Sequence, residues 1–148
     1  MRLLLPIDAS DESLWSIGYA LRLKRAGKPV EAIVLNVGEP VTQWEPLRFR
    51  TRTEISRFQA ERGQAFIDAA CRELVAADIP CQGLFRQGEI VATILATAEE
   101  QQCDAIVMPS PKCLLARFLG PDVVGKIRRQ HREFPVVFVN KNGEALNG

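Results

Sequence analysis

The chain reads as an α/β domain, a doubly wound sheet of five parallel strands with helices on both faces. Two observations predict this class. Strand-like and helix-like segments alternate along the chain, the pattern of repeated strand–helix–strand units. The strand-like segments, such as Leu3-Leu4-Leu5 and Ala105-Ile106-Val107-Met108, are continuous apolar runs. Such runs suit a sheet covered on both faces, whereas a half-solvated sheet alternates apolar and polar residues. Right-handed crossovers follow from chain chirality. Ligands in such folds bind outside the carboxyl ends of the strands.

Each element has a local reason. Arg2 to Ile7 is the first apolar run. Ser10 is placed to cap a helix, with Asp11 and Glu12 in the first turn where carboxylates suit the helix dipole. Leu14, Ile17 and Leu21 give that helix an apolar stripe, and Gly27 and Pro29 close it. Val30 to Val37 predicts the second strand, and Gly38 to Arg50, with Pro40, Trp44 and Pro46, a loop. A long helix is expected from about Thr51 to Ala77, with Ile55, Phe58, Phe66, Ala70 and Leu74 on its apolar side. Gly63 weakens it locally. Cys81 to Arg86 is a short third strand, and Gly88 leads into a helix carrying Ile90, Ile94, Leu95 and Ala98. Ala105 to Met108 is the fourth strand. A helix runs from about Pro121, accepted in a first turn, to Arg132. Phe134 to Val139 is the fifth strand, and the polar tail Asn140 to Gly148 reads as frayed. The domain is placed at residues 1–140, with 141–148 as tail.

Composition bounds the function. A chain of 148 residues suits one domain with one core. Hydrophobic residues at 47% and charged residues at 25% are ordinary for a globular protein. A net charge of +1 gives no strong pull toward nucleic acid or membrane. The apolar start is too short for a signal peptide and Asp8 interrupts it, so a cytoplasmic protein is expected. Cys71, Cys81, Cys103 and Cys113 form no C-x-x-C pair, and His131 is the single histidine, so no zinc site is expected. Reduced, mostly buried thiols are the plain reading; Cys113, beside Lys112, is a candidate reactive thiol. His131, among Arg128, Arg129 and Arg132, reads as a surface residue near a helix C-terminus rather than a catalytic base.

The chain has no G-x-G-x-x-G, no P-loop and no G-x-S-x-G elbow. Asp8 lies just past strand one and has two readings, a helix-entry cap or a carboxylate that accepts hydrogen bonds from a nucleoside. A response-regulator phosphoacceptor pocket would want an aspartate where Arg86-Gln87-Gly88 stands. The segment Asp104 to Lys112 runs from the fourth strand into a loop with Pro109 and Pro111. Backbone that approaches a phosphate usually needs glycine, and proline has no N–H to offer.

The segment Leu3-Leu4-Leu5-Pro6-Ile7-Asp8-Ala9-Ser10-Asp11-Glu12-Ser13 resembles the opening of the universal stress protein family. The resemblance continues in Val34-Leu35-Asn36-Val37, Gly88-Glu89-Ile90, Cys103-Asp104-Ala105-Ile106-Val107-Met108 and Phe134-Pro135-Val136-Val137-Phe138-Val139. It implies a Rossmann-like sheet of the adenine nucleotide alpha hydrolase type, in strand order 3-2-1-4-5, and a homodimer joined through the last strand. Nucleotide-binding members carry a loop of form G-x-x-G, with G-[ST] further on, that holds the phosphates. Pro6, Asp8, Val37 and Met108 match the nucleoside part. Pro109 and Lys112 stand at the two loop glycines. For the third, one alignment offers Asp122 followed by Val123, and another offers Gly120 followed by Pro121.

The expected function is therefore a non-catalytic, universal stress protein-like homodimer without ATP bound in the usual mode and without a cofactor. The alternative is an ATP- or AMP-binding member with at most slow hydrolysis, Lys112 and Arg117 on the phosphates and Asp8 on the nucleoside. A small-molecule enzyme has no visible acid–base or nucleophile set behind it. The dimer is expected through the terminal strand Pro135 to Val139, because an apolar edge strand tends to be covered. Leu114, Leu115, Phe118 and Leu119 are a second apolar group, equally suited to a short helix packed on the core.

Overall fold

The structure, a computed structural model, describes residues 1–38, 51–110 and 135–146. The loop after Gly38, the helix expected over 121–132 and the apolar group Leu114 to Leu119 lie outside the described residues. Along the chain come β1 (Arg2–Pro6), a 3-10 turn (Asp11–Leu14), α1 (Trp15–Arg25), β2 (Glu31–Gly38), α2 (Arg52–Ala76), β3 (Cys81–Gln87), α3 (Ile90–Glu100), β4 (Ala105–Pro109) and β5 (Val136–Val139). Among the described residues the five strands pair in parallel, in the order β3-β2-β1-β4-β5. Sequence order reverses between β1 and β4, which defines the switch point. Among the described residues no helix is long and apolar enough to cross a membrane.

The continuous apolar strands split by parity. Leu3, Leu5, Val34 and Val107 pack with Ile17 of α1 and Ile67, Ala70 and Leu74 of α2. Leu4, Ile33, Leu35 and Ile106 pack on the other face with Ile90, Ile94, Leu95 and Ala98 of α3. Successive strand residues point to opposite faces, so a strand buried on both sides must be apolar throughout.

Helix starts depend on side-chain capping. Ser10 caps the 3-10 turn, its hydroxyl accepting the Ser13 N–H. Thr51 opens α2 with a capping box, Thr51 Oγ1 accepting from the Glu54 N–H and Glu54 Oε2 from the Thr51 N–H. Helix ends share another device. After α1, α2 and α3 the chain passes through positive φ at Gly27 (82°), Asp78 (62°) and Gln102 (53°). The next N–H groups, those of Lys28, Ile79 and Cys103, donate back to Leu23, Leu74 and Ala98, the long bonds of a Schellman motif.

Two expectations change. Phe58 is exposed, not on the buried stripe, with the Arg62 guanidinium 5.5 Å from its ring centroid. The buried line of α2 runs instead through Ile55, Gly63, Ile67, Ala70 and Leu74. The tail is not frayed over residues 140–146, where it folds back against β5 through backbone hydrogen bonds.

Candidate functional site

The crevice at the carboxyl ends of β1 and β4 begins with Pro6, half-buried at the end of β1 and paired in register with Leu35. The Ile7 N–H donates to the Leu35 carbonyl at 2.8 Å, carrying the chain one residue beyond the strand. Asp8 then turns it into the 3-10 helix. Asp8 Oδ1 accepts the Ser10 N–H at 2.7 Å and also the Ser10 hydroxyl. Ser13 Oγ accepts the Asp8 N–H at 3.2 Å and donates to the Ser10 carbonyl at 2.9 Å. Asp8 therefore serves the turn through one oxygen. Its Oδ2 has no partner among the described residues, which leaves a ligand role compatible with the cap.

Asn36 supports the candidate site and is missed by sequence reasoning. It is buried on β2 and its Nδ2 donates to the Ile7 carbonyl at 2.8 Å, fixing the peptide that leads to Asp8. The chain does carry a signal for it: one amide inside an otherwise apolar run must find a partner when buried. Val37, one residue on, is half-buried and packs against the α3-side core. Met108 is 1% exposed, and its side chain belongs to that core rather than to the crevice surface.

The fourth strand extends one residue further than expected, through Pro109, which is buried and pairs in register with Val139. The Ser110 N–H donates to the Val139 carbonyl at 2.8 Å. Of the first two positions past Met108, one has no N–H and the other has spent it in the sheet. Neither can donate to an anion. Lys112, Cys113, Arg117, Gly120, Asp122, Val123 and His131 lie outside the described residues.

A helix N-terminus on the crevice side is also filled. α3 begins after the carboxyl end of β3, and Glu89 caps it, accepting the Val91 N–H at 3.1 Å and the Ala92 N–H at 2.7 Å. A carboxylate there satisfies the donors and the positive dipole end that would otherwise attract phosphate. Arg86 at the end of β3 makes a bidentate pair with Glu100, both contacts 2.7 Å, and so holds no phosphoacceptor pocket open. The hydrogen bond from Arg86 holds the Glu100 carboxyl below its usual range.

Among the described residues no group of three or more ligating side chains is placed to hold a metal ion. Cys71, Cys81 and Cys103 are free thiols. Burial pushes Cys103 up to about 11 and Cys81 further still, which keeps both in the unreactive thiol form. A depression lined by Asp68, Cys71, Arg72, Val75 and Ala76 lies on the second half of α2, at the end of the sheet opposite the crevice.

Comparison with known proteins fits this geometry. The universal stress protein family model matches residues 1–139. The chain belongs to the universal stress protein family. Solved structures of the family share its fold. One from Burkholderia pseudomallei is 16% identical, with a TM-score of 0.72 over 93% of this chain and 94% of that one. A universal stress protein in complex with cAMP is 18% identical, with a TM-score of 0.64 over 95% and 97%. A family protein from Arabidopsis thaliana with AMP bound is 14% identical, with a TM-score of 0.68 over 96% and 92%. No curated protein matches the sequence.

Proposed function

We propose that residues 1–140 of this universal stress protein form a non-catalytic, cytoplasmic stress-response domain. It works as a homodimer through the terminal strand Pro135 to Val139 and does not bind ATP in the usual mode. One observation carries the reading: β4 leaves the sheet through Pro109, without an N–H, and Ser110, whose N–H is bonded to Val139. In this reading Pro6, Asp8, Val37 and Met108 keep the outline of a nucleoside site, while Pro109, Lys112, Gly120 and Val123 no longer supply a phosphate cradle. The Glu89 carboxylate at the start of α3 adds repulsion on the same side.

A second reading has its own support. Two structural relatives hold AMP and cAMP, and Asp8 Oδ2 is unengaged among the described residues. An AMP- or ATP-binding protein would then use Lys112 and Arg117 as direct charges on the phosphates, without a glycine loop.

Thermal unfolding with ligand decides between them. A ligand at ten times its Kd stabilises the native state by about 1.4 kcal/mol, which raises Tm by about 4 °C in a domain of this size. With roughly 1 mM ATP or AMP the expected shift is under about 1 °C. A shift of about 4 °C or more that Asp8→Asn abolishes, with the apo Tm unchanged, overturns the proposal in favour of the second reading. Asp8→Asn keeps an oxygen for the Ser10 cap and so separates ligand loss from unfolding.

A further inference from the structure

The family match ends at residue 139, and the segment beyond it is a built structure on the outer edge of the sheet. β5 is the last strand in the order, so one side faces β4 and the other faces outward. The carbonyls of Pro135 and Val139 accept the Ile106 and Ser110 N–H groups at 3.0 and 2.8 Å, so the odd-numbered residues face β4. Backbone groups alternate sides along a strand, so Val136, Phe138 and Asn140 present theirs to the outer edge.

The chain itself takes part of that edge. The Leu146 N–H donates to the Phe138 carbonyl at 2.7 Å, and the Asn140 N–H to the Glu144 carbonyl at 3.0 Å. Val139 and Ala145 form an antiparallel bridge. The reversal is tight and internally bonded: Asn140 Oδ1 accepts the Asn142 and Glu144 N–H groups at 2.9 and 3.0 Å, and the Gly143 N–H donates to the Asn140 carbonyl at 2.9 Å. Gly143 also docks the turn on α1. It is buried at a φ of +75°, and a Cβ there would meet the Gly18 carbonyl carbon at 2.5 Å and the Tyr19 nitrogen at 2.7 Å. The segment 140–146 is thus a hook tied to both the strand edge and a helix.

We infer that this hook is an intramolecular cap that competes with a second copy of the chain for the outer edge of β5. A partner strand laid on β5 would need the Phe138 carbonyl and the Asn140 N–H, the same groups the hook uses. With the hook closed, the outward groups near Val136 are, among the described residues, those that remain outside it, too short a ladder to hold two protomers. Opening the hook releases the Phe138 carbonyl and the Asn140 N–H from their hook partners. Self-association is then set by hook opening as well as by concentration, and a protomer with its hook closed is held as a monomer. This rests on the proposed dimer through Pro135 to Val139.

The test uses the chain of residues 1–148 and two variants of it, with dimerisation followed by analytical ultracentrifugation and hook docking by hydrogen exchange of the monomer at the Leu146 amide or, in the proline variant, at the Asn140 amide, which donates to Glu144 within the hook. Gly143→Val ejects the hook by steric conflict with α1. Leu146→Pro removes the N–H that reaches Phe138 at a residue 41% exposed, so it leaves the core intact. The expected result is a protected Leu146 amide in the wild-type monomer, loss of docking in both variants, and a dimer Kd at least about tenfold lower in each, as competition for one edge requires. Variants that lose docking yet dimerise no more tightly than wild type overturn the cap while the dimer stands. So does a wild-type dimer with its Leu146 amide still protected. Absence of any dimer in all three chains overturns the dimer and the cap together.

Discussion

Gly63 is the residue that lets α2 lie close on the sheet. In a helix interior glycine costs about 1 kcal/mol relative to alanine, yet here it is buried beneath the β2–β3 pair. A Cβ at this position would meet Asn36 Oδ1 at 2.5 Å and the Phe85 ring at 2.6 Å. Asn36 is held by its bond to the Ile7 carbonyl, so it has little room to give. Gly63→Ala is therefore expected to destabilise by about 1–2 kcal/mol, because overpacking outweighs the gain in helix propensity. A urea midpoint at or above wild type would show that the close approach is not enforced. This position also marks a limit of the sequence. Spacing points to Phe58 as a buried residue, because an aromatic at helical spacing looks like core. The register of α2 on the sheet is set instead by the absence of a side chain at Gly63, which an apolar count does not register. The same blind spot hides Asn36, whose value lies in a tertiary bond and not in its neighbours.

Helix ends show what local chemistry does make legible. Ser10 and the break at Gly27 are readable because capping and left-handed backbone have residue preferences. The helix expected from about Thr51 does begin there, and the structure supplies the reason in the Thr51–Glu54 capping box. Asp78 and Gln102 are not readable as stops, since neither is the usual residue for positive φ, yet both adopt it at 62° and 53°. Non-glycine residues in this region carry a cost of about 1–2 kcal/mol, smaller for Asp, whose short side chain tolerates it better. Asp78→Gly and Gln102→Gly are therefore expected to raise stability by about 0.5–1 kcal/mol each, with the larger gain at Gln102. The offset is the greater freedom glycine gives the unfolded chain. Denaturant unfolding of the two variants checks both the sign and the order; a loss at both positions would mean that side-chain contacts, not backbone strain, govern these ends.

At the scale of the molecule the sheet is a wall between two cores. That arrangement is the most legible part of the sequence, because a strand buried on both faces cannot contain a polar residue cheaply. Leu3-Leu4-Leu5 therefore announces it at once. The outer edge is the least legible, since a polar C-terminal segment gives no periodic signal and its docking depends on Gly143 meeting Gly18 in space. The crevice lies between: Asp8 and Pro109 can be singled out from residue chemistry, but the spent N–H of Ser110 is a property of strand register. The wall makes a quantitative demand. Ile67 of α2 is buried in the core on one face and Ile94 of α3 in the core on the other, each 1% exposed. Ile67→Ala should cost about 2–5 kcal/mol and Ile94→Val about 0.5–1.5 kcal/mol. The two share no cluster, so the double variant should lose the sum of the two to within about 0.5 kcal/mol. A coupling larger than that in the double-mutant cycle would mean that a cavity on one face moves the strands enough to be felt on the other. The sheet would then transmit strain between its cores, and the hook on β5 and the turn at Asp8 would no longer be independent of packing elsewhere.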